Sequence, residues 1–434
     1  MSPLTRAMTS PVTILNAVNG NDMTQRLLVR AIGTARPGQL AELGQALALA
    51  GTRLLDINQS VTFDCVMLEA LVAFDEDNRQ QLTTALEAFR ALSGLDVQFF
   101  EVGDKAYARW SAAAINPRLI LTLLAPRLPA SVLTEVGRLT SSYGLTIELI
   151  HRLSGREGLD GEEPEGGACI ECWLRGDMLA NPVDLEGLRR DALTIGAEHG
   201  VDIALQEDNI WRRHRRLVCF DMDSTLIKAE VIDELARRHG VGDEVAEVTE
   251  RAMRGELDFQ QSFRERMSKL KGLDESVLQQ IAEELPLMEG AEVLLRQLKR
   301  LGYRTAILSG GFTYFARYLQ QRLGFDEVHA NELVIENGKV TGEVQEPILD
   351  AERKAFLLKE IAAREGIRME QTIAVGDGAN DLKMLAEAGL GIAFRAKPLV
   401  REQARHSIST LGLDAVLYLL GYRYSDLVHS ESDS

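Results

Sequence analysis

Asp221 and Asp223 stand two residues apart, directly after the apolar run Leu217–Phe220, and Ser224 and Thr225 follow them. Two carboxylates held in one place are costly unless a cation or a proton neutralises one of them. The pair therefore points to a metal-dependent site. Three other stretches carry groups of the same kind: Ser309-Gly310-Gly311, Lys354, and Asp377-Gly378-Ala379-Asn380-Asp381. They offer a hydroxyl with backbone donors, a point charge and more carboxylates.

Leu217–Phe220 is a short unbroken apolar run, the pattern of a strand buried on both faces of a parallel sheet, and Tyr303–Leu308 and Thr372–Val375 read as further strands. In open α/β sheets, ligands bind beyond the carboxyl ends of the strands, which is where the candidate residues fall. Lys354 falls in the first turn of a helix that Asp350 can cap and Gly366 can end.

In order and content these four stretches closely resemble the haloacid dehalogenase superfamily of phosphotransferases. The resemblance implies a Rossmann-like α/β core over residues 217–233 and 291–422. Phosphoryl transfer needs an in-line nucleophile, a cation, donors around three charged oxygens and an acid for the leaving group. By the resemblance Asp221 is the nucleophile, forming an aspartyl-phosphate, and Asp223 the general acid and base. Mg²⁺ falls to Asp221, the backbone carbonyl of Asp223 and Asp377. Ser309, Gly310 and Lys354 bind phosphate, and Asp381 supports Lys354 or metal-bound water from behind.

The stretch between the first two motifs, residues 234–290, reads almost entirely as helix and resembles the helical cap of one branch of the superfamily. Phe259, Phe263, Met267 and Leu270 form an apolar stripe at helical spacing. Arg266 falls on or beside it, and an inward arginine needs an anion. Together with Met222, Phe259, Glu230 and Asn380, it resembles the substrate pocket of phosphoserine phosphatases. That family implies O-phospho-L-serine as substrate, Arg266 meeting its carboxylate and Glu230 its ammonium. Two other readings stay open: the same core acting on another small phosphomonoester, and an amino-acid sensor with an inactive phosphatase core.

The amino-terminal half reads twice as β-α-β-β-α-β, the ferredoxin-like plan, over residues 26–105 and 116–208. In the first copy a strand runs into Gly33-Thr34-Ala35-Arg36-Pro37-Gly38 and a helix. This resembles ACT domains, modules that bind amino acids, and implies a regulatory ligand near Gly33, with L-serine as effector, and pairing into a homodimer. The second copy has Ala125-Pro126-Arg127-Leu128-Pro129 at the corresponding turn and lacks that glycine.

The formal net charge of −17 argues against a nucleic-acid or anionic-membrane partner. No stretch approaches the roughly 20 apolar residues of a membrane span. Four cysteines in 434 residues make no disulfide framework, so a reducing cytoplasm is expected. Cys169 and Cys172 have redox spacing but sit in a strand pattern and are expected to be ordinary sheet residues. Residues 209–216 contain a basic run, Arg212 to Arg216, expected as a solvated linker or an intramolecular partner for acidic surface. Residues 1–25 are expected as a weakly ordered leader and 425–434 as a disordered tail.

Overall fold

The computed structural model describes residues 25–159, 161, 166–178 and 181–428. The chain divides into two compact units, up to Ile115 and from Asn116 onward.

The first unit is β1 (Gln25–Thr34), α1 (Gln39–Leu49), β2 (Arg53–Thr62), β3 (Cys65–Phe74), α2 (Arg79–Ser93) and β4 (Asp96–Glu101). The antiparallel sheet has the order β2-β3-β1-β4. Alternate residues of β1 and β3, such as Val29, Ala31, Leu68 and Ala70, meet Leu43, Leu47, Leu82 and Leu86 of the helices. An unanticipated helix, α3 (Asp104–Ala113), follows. The leader expected over 1–25 lies outside the described residues except for Gln25, which begins β1.

The second unit opens with the same plan: β5 (Arg118–Ala125), α4 (Ala130–Ser142), β6 (Thr146–Arg152), β7 (Ala168–Arg175), α5 (Leu185–His199) and β8 (Asp202–Glu207), in sheet order β6-β7-β5-β8. The helix expected from Met178 begins only at Leu185, where Asp184 accepts from the Gly187 N–H at 2.9 Å. One face of this sheet, with Leu119, Leu121, Cys172 and Ile203, packs on its own helices. Leu124, Cys169 and Ala204 on the other face belong to the hydrophobic core of the catalytic domain. Asp202 on that face accepts from the N–H groups of Ser409 and Thr410 at 2.7 and 2.8 Å, and Gln206 donates to the Leu419 carbonyl at 3.0 Å. The second ferredoxin-like domain is thus built into the catalytic unit.

Of the two readings of the basic run, Arg212 takes the intramolecular pairing, while Arg213, His214 and Arg216 are exposed. Ile210–Arg213 is a 3₁₀ turn, and Arg212, 1% exposed, pairs with Glu171, which is 2% exposed. Burying a guanidinium is tolerable only with such a counter-charge. Cys169 and Cys172, three apart on a strand, point to opposite faces and into different cores, so they cannot pair.

A six-stranded parallel sheet forms the catalytic core, built from β9 (Leu217–Phe220), β10 (Arg304–Phe312), β11 (Glu327–Asn331), β14 (Thr372–Gly376), β15 (Leu390–Phe394) and β16 (His406–Ile408). Its order is β11-β10-β9-β14-β15-β16. Helices cover both faces, so Leu217, Val218, Cys219 and Phe220 are all buried, as the continuous apolar run requires. Four cap helices, α6 (Val231–His239), α7 (Gly242–Met253), α8 (Phe259–Lys269) and α9 (Ser276–Glu284), follow β9. A hairpin of β12 (Leu333–Glu336) and β13 (Lys339–Val344) is bonded to the cap: Gly272 donates to the Val340 carbonyl and Val340 to that of Leu273. Its Asn337-Gly338 turn has φ of +50° and +74°, as a type I′ turn requires. Tyr424–Val428 is a short helix, so the first residues of the expected tail are ordered; residues 429–434 lie outside the described residues.

Candidate active site

All four predicted stretches meet at the carboxyl edge of the parallel sheet. β9 delivers Asp221, and β14, its hydrogen-bonded neighbour, delivers Asp377. On its other side β10 delivers Ser309 and Gly310. Five residues of β10, Leu308 to Phe312, stand against three of β11, His329 to Asn331, so Ser309–Gly311 bulge from the ladder. Helix α12 (Ala351–Arg364), capped by Asp350 through the Arg353 N–H at 3.0 Å, brings up Lys354.

Lys354 is fully buried. Its Nζ lies 2.9 Å from Asp221 Oδ1 and 2.7 Å from Asp381 Oδ1. Carboxylate oxygens of Asp221, Asp377 and Asp381 all lie within 4.8 Å of one another. One lysine against three carboxylates leaves an excess of negative charge in a buried place. Burial first, then Asp381 and Asp377, hold the Asp221 carboxyl well above the usual range in spite of Lys354. Burial, with Asp381 and Glu230 adding, pushes Asp377 up to about 7. Burial, then Glu230, pushes Asp223 up to about 8. Lys354 stays charged because Asp221 and Asp381 outweigh its desolvation. An all-oxygen donor set with surplus charge fits a hard divalent cation. Since Asp377 holds its proton up to about pH 7 and Asp221 holds one well above the usual carboxylate range, a cation must displace them. Divalent-cation affinity is expected to rise with pH by up to about tenfold per unit for each proton displaced. Calorimetric titration at pH 6, 7 and 8 measures this; a pH-independent affinity would mean that the cluster does not take the ion.

Close packing keeps the loops in register. A Cβ on Gly311 would lie 2.5 Å from Asp223 Oδ2 and 3.1 Å from Ser309 Oγ, and one on Gly376 would strike the Asp381 carboxyl at 2.4 Å. The Gly311 N–H donates to Ser309 Oγ at 2.9 Å, and the Val231 N–H to Asp223 Oδ1 at 3.1 Å. Ser224, at φ +54°, turns the chain so that its hydroxyl donates to Glu230 at 2.9 Å. Three positioning residues were not anticipated. Thr225 donates to Asp377 Oδ1 at 3.0 Å. Gly311 makes room as described. Asn331, buried, donates to the Gly310 carbonyl at 2.8 Å and accepts from the Leu349 N–H at 2.7 Å. Thr225 stood within the first motif and Gly311 within the second; Asn331 has no local signal.

The cap closes on the phosphate loop. Phe259 stacks on Phe263 at 6.1 Å, Phe263 meets Phe312 at 5.9 Å, and Phe259 Cζ lies 3.2 Å from where a Gly310 Cβ would be. Asn380 Nδ2 lies 3.8 Å from that same point, and Met222 is fully buried beneath Gly311. Arg266 is half-buried, and its Nε is buried without a hydrogen-bond partner. Its nearest charges are Asp233, Glu230 and Asp223, and burial lowers its pKa against them. Gly33 sits differently: its Cβ direction is filled by Leu95, at 2.9 Å. The nearby cavity in the first unit, about 350 Å³, is walled by Arg36, Gly38, Gln39, Gln59 and Val66 instead.

Fold and site together place the carboxy-terminal half among the haloacid dehalogenase-like hydrolases: residues 215–389 match that family, and residues 25–100 match the ACT domain family. The chain is 40% identical over 400 residues to a phosphoserine phosphatase of Streptomyces coelicolor, covering 91% of this chain and 92% of that one. It is 38% identical over 398 residues to one of Mycobacterium tuberculosis, covering 91% and 93%. Among solved structures it resembles an unliganded probable phosphoserine phosphatase of Vibrio cholerae, with TM-score 0.54 and 34% identity over 73% of this chain and 89% of that one. A hydrolase of the same superfamily from Salmonella enterica gives TM-score 0.58 and 31% identity over 70% and 98%. The chain belongs to the phosphoserine phosphatase family. Phosphatases of this class depend on a metal, and the acidic cluster is where this chain could hold one. No described helix is long and apolar enough to cross a membrane.

Proposed function

We propose that this protein hydrolyses O-phospho-L-serine to L-serine and phosphate, the closing step of serine biosynthesis, in the cytoplasm and as a homodimer. The observation that carries the substrate is the buried, partnerless Nε of Arg266 on a cap helix, within reach of the charges of Glu230 and Asp223. A cation and an anion above a phosphate loop suit a zwitterionic phosphomonoester.

Asp221 attacks phosphorus in line and becomes the aspartyl-phosphate while the seryl oxygen leaves. Asp223, whose carboxyl keeps its proton near neutrality, gives it to that oxygen and then takes one from the water that cleaves the acyl-phosphate. Ser309 Oγ, the Gly310 N–H and Lys354 hold the phosphoryl oxygens. Asp381 orients Lys354 from behind. Mg²⁺, held by Asp221, the Asp223 carbonyl and Asp377, would neutralise charge between nucleophile and phosphate. Met222, Phe259 and Asn380 line the space for the seryl carbon and phosphate. The cavity beside Gly38 suits L-serine as a feedback inhibitor.

Phosphate release from O-phospho-L-serine with Mg²⁺, with EDTA and with added L-serine tests the reaction, the ion and the effector together. Equal rates on phosphoglycolate, which lacks the ammonium, would remove the substrate assignment. Arg266→Met is expected to raise KM for O-phospho-L-serine about 100-fold, the loss of a charge-assisted contact. On phosphoethanolamine, which has no carboxylate, kcat/KM should stay within about twofold. A KM rise on both substrates would show that Arg266 shapes the cap rather than meeting a carboxylate.

A further inference from the structure

Opposite the catalytic loops, at the amino ends of β9, β10 and β14, lies a cavity of about 370 Å³. Its wall includes Trp211, Arg213, Arg215, Arg216, Tyr303 and Tyr422, and no carboxylate lines it. In a chain with net charge −17 this is a local reversal of sign. Arg213 and Arg216 are exposed, but Arg215 is nine-tenths buried. Its Nη1 donates to the carbonyls of Glu370 and Thr372 at 3.2 and 3.3 Å, and its Nε has no partner. No carboxylate among the described residues pairs with it, whereas Arg212, more deeply buried three residues earlier, has Glu171. Burial pulls the Arg215 pKa down to about 10, with only the Tyr303 hydroxyl opposing. A buried guanidinium without a counter-charge is unfavourable, and here it opens onto a cavity already walled by two more.

We infer that this cavity binds a small phosphate-bearing anion. Guanidinium is weakly hydrated and offers a planar fork that matches phosphate oxygens. The Trp211 ring, with Arg368 over it at 4.9 Å, and the two tyrosines give the wall aromatic area as well. Concavity and the acidic balance of the rest of the chain favour a small molecule over nucleic acid. The cavity is separate from the catalytic site by the length of β9, four residues or roughly 13 Å.

Full-length protein titrated with pyrophosphate and, separately, with adenosine monophosphate tests this, read by calorimetry and by tryptophan fluorescence at low and high salt. Pyrophosphate is expected to fill one site beyond the catalytic one, with affinity falling as salt rises. Arg213→Gln with Arg216→Gln, both exposed positions, should weaken that site at least tenfold and leave phosphatase kcat/KM unchanged. Arg215→Met should weaken it as much while keeping or raising Tm, because a buried unpaired charge is replaced by an apolar chain. Tighter binding of adenosine monophosphate than of pyrophosphate would assign the aromatic wall to a base; equal binding would assign the site to the oxyanion alone. Wild-type binding in both variants, no equivalent beyond the catalytic site, or tighter binding of an RNA oligomer would overturn the inference.

Discussion

Asp221→Asn is expected to lower phosphate release from O-phospho-L-serine by at least about 10⁴-fold, as removal of a nucleophile does. The substitution is isosteric, so the amide oxygen can still accept from Lys354, and the loop packing around Met222 is untouched. Stability should not fall. The Asp221 carboxyl has its folded pKa raised by burial, so its ionised form disfavours the fold at neutral pH, and a neutral amide removes that cost. Metal-free Tm should therefore equal or exceed wild type, while the Tm gain on adding Mg²⁺ should shrink, since one donor is lost. Phosphate release and thermal unfolding with and without Mg²⁺ measure both. Mg²⁺-dependent turnover surviving in this variant would remove Asp221 as the nucleophile.

Lys354→Met is expected to lower kcat by about 10²–10³-fold, the loss of one preorganised charge, and to destabilise the fold. Asp221 and Asp381 would keep their burial and lose the one cation that pairs with them among the described residues. Breaking a buried pair in this way costs about 3–5 kcal/mol. Protonation of the carboxylates offsets part of it. The Asp221 pKa is already raised, so the folded state binds protons more readily than the unfolded one and gains stability as pH falls. The Tm deficit of the variant should thus be larger at pH 8 than at pH 5, and added Mg²⁺ should narrow it at pH 8. Thermal unfolding across that range is the measurement. A deficit that does not vary with pH would mean that Lys354 acts by packing rather than by charge.

Much of the catalytic half was legible because its signals are local. A parallel strand buried on both faces is continuously apolar, so β9 announces itself, and β10 and β14 each carry an apolar triplet, Ala306–Leu308 and Ile373–Val375, ahead of their loops. The groups that follow each strand fall, by the geometry of the sheet, on one edge. Asp350 and Gly366 marked the helix carrying Lys354 for the same reason: caps are read within a few residues. Arg266 stood out as a cation beside an apolar stripe. The signals failed where spacing was long or context decided. Asn331, which ties the phosphate loop to Leu349, is an unremarkable residue until the two chains meet. Leu95, which fills the Cβ direction of Gly33, lies some sixty residues on and has no local signal. The basic run reads as linker or as intramolecular partner, and nothing local shows that Glu171, far back in the chain, is the partner of Arg212.

The sequence by itself determined the reaction class, the carboxylates that gather at the sheet edge and the doubled ferredoxin-like plan, because each rests on residues close in the chain or on strand periodicity. Only the tertiary structure decided what the second ferredoxin-like domain does. Its two sheet faces are both apolar enough to bury, and alternation along a strand cannot say what each face meets. One meets its own helices; the other, through Asp202, Gln206 and Cys169, meets the catalytic core. The same contact fixes Arg212 against Glu171, whereas Arg215 meets no counter-charge among the described residues, a difference between two arginines that no spacing in the chain encodes.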